Sequence, residues 1–143
     1  MRWVCFLALA GCFACSGADL EAVKNQPNLQ KRSEMALACA DEALAQAKAA
    51  WRQGDGKTFT ARLDEIKEAV DLSLDSLQKT GRPPHKLLKW YKNAELKTRE
   101  LSRRLDSFGE EVSLEDRPQV QKVNERVQAV HEELLLGVLS RKK

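Results

Sequence analysis

The sequence predicts an all-α protein: a four-helix antiparallel up-down-up-down bundle that follows a cleaved signal segment. Apolar residues recur at spacings of three and four through four long stretches, which indicates amphipathic helices. Only 7 Gly and 4 Pro occur in 143 residues, and they fall at a few points between those stretches. We therefore expect a signal peptide at residues 1–18, a leader segment at 19–27 that packs on the bundle end, and the bundle at 28–143.

The first residues have the layout of a secretion signal. Arg2 is followed by an apolar run from Trp3 to Cys15 and then by the small residues Ser16–Ala18. This pattern favours cleavage after Ala18. The alternative is the run Leu9–Cys12, which resembles a bacterial lipobox and would make Cys12 a lipidated first residue. The mature chain would hold Cys39 alone, or Cys39 with Cys12 and Cys15 if Cys12 is lipidated. Neither case gives an even number of cysteines, so we expect no disulfide framework.

The first two helices of the predicted bundle form a hairpin around a glycine-containing turn. The first helix spans about Asn28 to Gln53, and Gly54 ends it. The second spans about Lys57 to Thr80, with Asp55 as its N-cap and Gly81 as its stop. Small side chains should let a neighbouring helix approach the first one closely, and they are Ala36, Ala40, Ala43, Ala47 and Ala50.

The last two helices complete the predicted core. The third spans about Pro84 to Phe108 and is ended by Gly109. The fourth follows a loop at residues 110–116, with Asp116 or Ser113 as its N-cap. Apolar residues on the facing stripes are expected to be buried at mid-bundle, and they are Leu63, Ile66, Val70, Leu101, Leu105, Val127 and Val130.

Equal helix lengths and short connections favour packing of each helix against the next one in sequence. The alternative is two helical hairpins laid side by side. In the sequential bundle the leader segment lies near the end of the fourth helix, where Leu20 and Val23 can cover Leu136 and Leu139. If they do not, these leucines form a patch for a partner.

The sequence holds no motif for catalysis, a cofactor or a metal. The two histidines are His85 and His131, and Gln128 rather than a glutamate stands three residues before His131. Cys39 lies beside the alanine face, where a small apolar filler is the usual role. We therefore expect a protein that is not an enzyme, with no cofactor.

The third helix carries most of the excess positive charge. Eight Lys or Arg and three acidic residues lie between Arg82 and Phe108, which is either a solvated face or a surface for an anionic partner. Export and a net charge of only +3 disfavour nucleic acid. The candidate interaction surface consists of Lys86, Lys89, Lys92, Lys97, Arg99, Arg103 and Arg104.

Three stretches, Pro27–Glu34, Asn93–Leu101 and Asp116–Pro118, resemble small exported all-helical bacterial proteins without an assigned function. The resemblance implies export and a helical bundle, and it implies no activity. We expect a non-catalytic interaction or structural protein of the bacterial cell envelope, periplasmic or secreted. Its partner would be a protein or an anionic envelope component, and a membrane only through lipidated Cys12 or the basic face. The alternative is a small-ligand carrier that uses the bundle interior.

Overall fold

The computed structural model describes residues 17–140, so Cys12, nearly all of the predicted signal peptide and the final residues 141–143 lie outside the described part. The described chain is all-helical, as predicted, and residues 17–140 contain no strand. Its elements are α1 (Gly17–Lys24), α2 (Leu29–Arg52), α3 (Gly56–Gln78), a 3-10 turn (Pro84–Leu87), α4 (Leu88–Glu111) and α5 (Arg117–Leu139).

Side chains and glycines at the expected positions delimit the first hairpin. The Asn28 side-chain oxygen accepts a hydrogen bond from the Lys31 N–H (2.9 Å), and Asp55 Oδ1 accepts one from the Thr58 N–H (3.1 Å). Each bond satisfies a backbone donor that has no partner within the helix. Gly54 (φ +72°) and Gly81 (φ +68°) adopt the left-handed conformation that favours glycine, and they follow α2 and α3. The N-cap role of Asp55 is thus confirmed.

The boundaries predicted for the third helix are wrong at both ends. Pro84 begins a 3-10 turn, and α4 starts only at Leu88. Gly109 does not end the helix but is buried inside it, and α4 continues to Glu111. Arg117 Nε, on the first residue of α5, donates to the Gly109 carbonyl (2.9 Å) and so holds the end of α4.

Asp116 occupies the N-cap position of α5, but its side chain makes no capping bond there. Asp116 Oδ2 instead accepts hydrogen bonds from Trp51 Nε1 (3.1 Å) and Ser113 Oγ (2.9 Å). The carboxylate therefore ties the α4–α5 connection to the end of α2.

The expected packing of each helix against the next one in sequence is wrong for α3 and α4. The closest contacts lie within the hairpins α2/α3 and α4/α5, and the hairpins meet where α2 faces α4 and α3 faces α5. Within residues 17–140, the backbones of α2 and α5 are not neighbours, and α3 approaches α4 at only a few positions. The order around the molecule is thus α2, α3, α5, α4, which matches the alternative of two hairpins side by side.

Helices run parallel where the two hairpins meet. Near the start of α2, Glu34 shares a groove with Trp90 of α4, and near its end Lys48 Nζ lies 5.7 Å from the Phe108 ring. Between α3 and α5, Thr60 Oγ1 donates to Gln119 Oε1 (3.1 Å) and Arg126 Nε donates to Asp71 Oδ1 (2.6 Å). The starts of α2 and α4 and the end of α5 therefore share one end of the molecule.

The leader segment packs against α2 and α3 and does not cover the leucines of α5. Leu20 and Val23 of α1 are buried, and Lys24 forms ion pairs with Glu21 and Glu68. Leu136 and Leu139 keep 67% and 64% of their surface exposed. Of the two possibilities that the sequence left open, the structure has the second: α1 packs along the first hairpin and leaves these leucines exposed.

All seven residues expected at mid-bundle are buried. At the far end, the Phe108 ring meets Trp51 and Phe59 edge to face, with centroids 6.2 and 6.1 Å apart. Aromatic side chains of α2, α3 and α4 therefore cover this end of the core, where the α2–α3 turn and the α4–α5 connection both lie. A large, continuous apolar interior of this kind is the main source of stability in a chain of this size.

Candidate functional site

The seven basic residues of the candidate surface lie in the 3-10 turn and on α4, but they differ in exposure. Lys86 belongs to the turn, and the other six belong to α4. Lys97 and Arg104 are half-buried, whereas the remaining five are exposed. Six of them form an arginine half (Arg99, Arg103 and Arg104) and a lysine half (Lys86, Lys89 and Lys92). Lys97 lies between these halves in the sequence, and its charge acts on Asp41.

Carboxylates neutralise the arginine half. Arg99 Nη2 lies 3.1 Å from Glu95 Oε2, and Arg103 Nη2 lies 3.0 Å from Glu100 Oε2. Arg104 Nη1 reaches across to α2 and lies 3.2 Å from Asp41 Oδ1. These pairs are too exposed to contribute much stability, but they reduce the positive potential over the second half of α4.

Burial raises the pKa of Asp41, and the positive charges of Arg104 and Lys97 lower it in part. A carboxyl with a raised pKa ionises only as the pH rises through that value. The pair with Arg104 links the two hairpins.

The lysine half is not neutralised in this way. Among residues 17–140 no carboxylate forms an ion pair with Lys86, Lys89 or Lys92, which we call the lysine cluster. Lys89 Nζ lies 5.7 Å from the centre of the Trp90 ring, an attractive arrangement for a cation. The excess charge of the surface is therefore concentrated at the start of α4.

The start of α4 is an unfavourable place for cations. A helix N-terminus carries a partial positive charge, so lysines there raise the electrostatic energy instead of lowering it. The first turn of α4 has no acidic residue, and Leu87 at the N-cap position provides no side-chain hydrogen bond. The lysine cluster therefore does not serve helix stability, which supports a role outside the fold.

A shallow groove between α2 and α4 adjoins the lysine cluster. It has a volume of about 470 Å³ and contains the half-buried ring of Trp90 and the exposed side chain of Leu96. Its other lining residues are Glu34, Lys89, Lys92 and Asn93. The groove thus combines apolar and basic groups on one open surface.

A buried polar cluster between α4 and α5 was not anticipated from the sequence. His131 Nδ1 lies 3.3 Å from both Thr98 Oγ1 and the Glu95 carbonyl oxygen, and His131 Nε2 lies 3.8 Å from Glu95 Oε1. Thr98 is fully buried, and its hydroxyl is already within hydrogen-bond distance of the Ala94 carbonyl (2.9 Å). These contacts join α4 to α5.

The chemical environment of Cys39 opposes nucleophilic reactivity. Burial raises the pKa of the Cys39 thiol, and the nearby negative charges of Glu65 and Asp19 raise it further. A reactive cysteine requires the opposite shift. His131 is occupied by Thr98 and Glu95, so the two side chains do not form a pair.

Within residues 17–140, no group of three or more His, Cys, Asp or Glu side chains is arranged to hold a metal ion. No helix in the described part of the chain is both long and apolar enough to cross a bilayer. Comparison of the chain with protein-family models, with curated proteins and with solved structures found no match.

Proposed function

We propose that the protein is a non-catalytic interaction protein of the bacterial cell envelope that binds an anionic partner through the lysine cluster. The observation that carries this proposal is the separation of the basic face into ion-paired arginines and lysines without ion pairs. Exposed charges of one sign that form no ion pair within residues 17–140 attract a partner of the opposite sign.

Export is the second part of the proposal, and it rests on residues 1–18 of the sequence. Helix α1 begins at Gly17, and cleavage after Ala18 would leave Asp19–Lys24 with its two buried residues, Leu20 and Val23. The intact mass of the protein purified from its host identifies the first residue, and a diacylglycerol-modified Cys12 would contradict cleavage after Ala18.

The carrier alternative has weaker support. A small-molecule site is usually an enclosed, largely apolar cavity with a few polar groups. The groove between α3 and α5 has a volume of about 730 Å³, but it is open to solvent and seven of its eight lining residues are charged. It is therefore not the enclosed cavity that a carrier requires.

A polyglutamate ligand tests the proposed binding. We expect the protein to bind immobilised polyglutamate at low salt and to lose this binding near physiological ionic strength, where the Debye length is about 8 Å. The double variant Lys89→Glu/Lys92→Glu should bind at least about tenfold more weakly, a loss of roughly 1.4 kcal/mol. Its folding should be unaffected, because both side chains are exposed.

The matched control is Lys57→Glu/Lys122→Glu, which reverses two exposed lysines on α3 and α5. Each double variant lowers the net charge from +3 to −1, since every reversal removes two positive units. Binding that falls equally in both variants would show attraction to net charge alone and would contradict a site on α4.

A further inference from the structure

We propose that the end of the molecule formed by the start of α4 and the end of α5 docks on the surface of an anionic lipid bilayer. The inference rests on the proposed function, because it uses the same lysine cluster, and it specifies the partner as a membrane surface. It also extends the binding surface to exposed leucines, which were not part of the seven-residue basic surface.

Exposed apolar side chains are concentrated at this end. Five large hydrophobic residues are exposed in the described chain, and only Leu114, in the α4–α5 connection, lies at the opposite end. Leu96 is on α4 beside the groove, with 55% of its surface exposed. The remaining three, Leu88, Leu136 and Leu139, form what we call the leucine end.

The packing of α4 on α5 brings the leucine end and the lysine cluster to the same level along the bundle. Gly137 lies directly against the Tyr91 ring, so the last turn of α5 is level with the first turn of α4. Leu88 and Lys89 precede Tyr91 by less than one turn, and Leu139 follows Gly137 by two residues.

The side chains at this end match the chemistry of a bilayer surface. Surface-bound helices combine Lys or Arg with exposed Leu and Trp, whose apolar parts enter the boundary between headgroups and acyl chains. The long lysine side chains can lie along apolar surface while their ammonium groups reach lipid phosphates. Trp90 lies half-buried beside Lys89, an amphipathic ring that suits the same boundary.

The same features fit an acidic protein less well. A tight protein interface needs a pocket that receives a few buried anchoring side chains. Here the three leucines of the leucine end are exposed on the ends of two helices and do not line the adjoining groove between α2 and α4. A soft, flat and anionic surface is the partner that contacts all of these groups together.

Vesicle sedimentation tests the proposal with the mature chain that cleavage after Ala18 would leave, residues 19–143. We expect binding at low salt to vesicles of phosphatidylethanolamine and phosphatidylglycerol and not to vesicles of phosphatidylcholine alone. Lys89→Glu/Lys92→Glu should weaken binding by about 30-fold or more, because each lysine near an anionic surface contributes on the order of fivefold. Trp fluorescence should shift to shorter wavelength on binding, and Trp90→Phe should remove this shift.

Leucine variants separate a membrane from an acidic polymer. Leu136→Ser/Leu139→Ser should weaken vesicle binding by about tenfold or more, because two apolar side chains no longer enter the bilayer boundary. Polyglutamate binding should not change, because replacing leucine with serine leaves the charge of the protein the same. The matched control Leu114→Ser makes the same change at the opposite end and should leave vesicle binding intact.

Two results would overturn the proposal. One is polyglutamate binding without vesicle binding, which would leave the proposed function standing and indicate an acidic protein or polymer as the partner. The other is equal vesicle binding by Leu114→Ser and Leu136→Ser/Leu139→Ser, which would show that the leucine end takes no part. Failure to bind either probe would instead contradict the proposed function itself.

Discussion

Replacing Leu101 with alanine is expected to lower the free energy of unfolding by roughly 2–5 kcal/mol, the range for a buried leucine. Leu101 is only 1% exposed and belongs to the core that joins the two hairpins. The substitution removes apolar surface from the core and leaves a cavity that the rigid surrounding helices fill only in part. Urea unfolding followed by circular dichroism measures the change.

Leu96→Ala is the matched control for Leu101→Ala. It makes the same change on the same helix, but Leu96 is 55% exposed. We expect its effect to stay within about 0.5 kcal/mol, as for most surface substitutions. A loss below about 0.5 kcal/mol for Leu101→Ala would mean that the inward face of α4 is assigned incorrectly.

Gly137→Ala is expected to destabilise the protein, although alanine is normally the better residue inside a helix. A Cβ atom at Gly137 would lie only 2.5 Å from Tyr91 Cε1, far closer than carbon atoms approach. Tyr91 is buried, so its ring has little room to move. Overpacking costs about 1–3 kcal/mol, which outweighs the gain in helix propensity of about 1 kcal/mol.

Two further variants show whether the Tyr91 ring is the cause. Gly109→Ala makes the same change in α4, where the new Cβ would lie 3.6 Å from Val120 Cγ1, an ordinary contact. It should stabilise the protein by about 0.5–1 kcal/mol. In a Tyr91→Ala background, Gly137→Ala should lose its cost, because the obstructing ring is gone. A penalty that persists there would contradict the close approach of Tyr91 to Gly137.

The sequence predicts the buried faces of the helices well but not their neighbours. Periodicity places Leu63 and Leu101 in the core, because a stripe of apolar residues must leave water. A stripe does not specify which helix covers it. The parallel contacts of α2 with α4 and of α3 with α5 depend on the complementarity of whole surfaces, which local spacing does not encode.

For the candidate site, the sequence likewise predicts the basic residues but not the ion pairs that depend on tertiary packing. The basic face was predicted from the charges of its residues. The ion pair between Arg99 and Glu95 could be predicted from its i, i+4 spacing. The ion pair between Arg104 and Asp41 could not be predicted, because these residues are 63 positions apart and meet only through the packing of α2 on α4. The position of α1 likewise depends on tertiary packing. Apolar composition alone allowed α1 either to cover Leu136 and Leu139 or to leave them exposed.

A backbone amide shift map recorded with soluble polyglutamate at low salt tests the central claim most directly. The account predicts that the largest shifts fall at residues 86–96, which hold the lysine cluster and the adjoining groove. Residues 99–104 should shift less, because their arginines are already paired with carboxylates. Shifts that are centred on α3 and α5, or that spread evenly over the molecule, would contradict a binding surface at the start of α4.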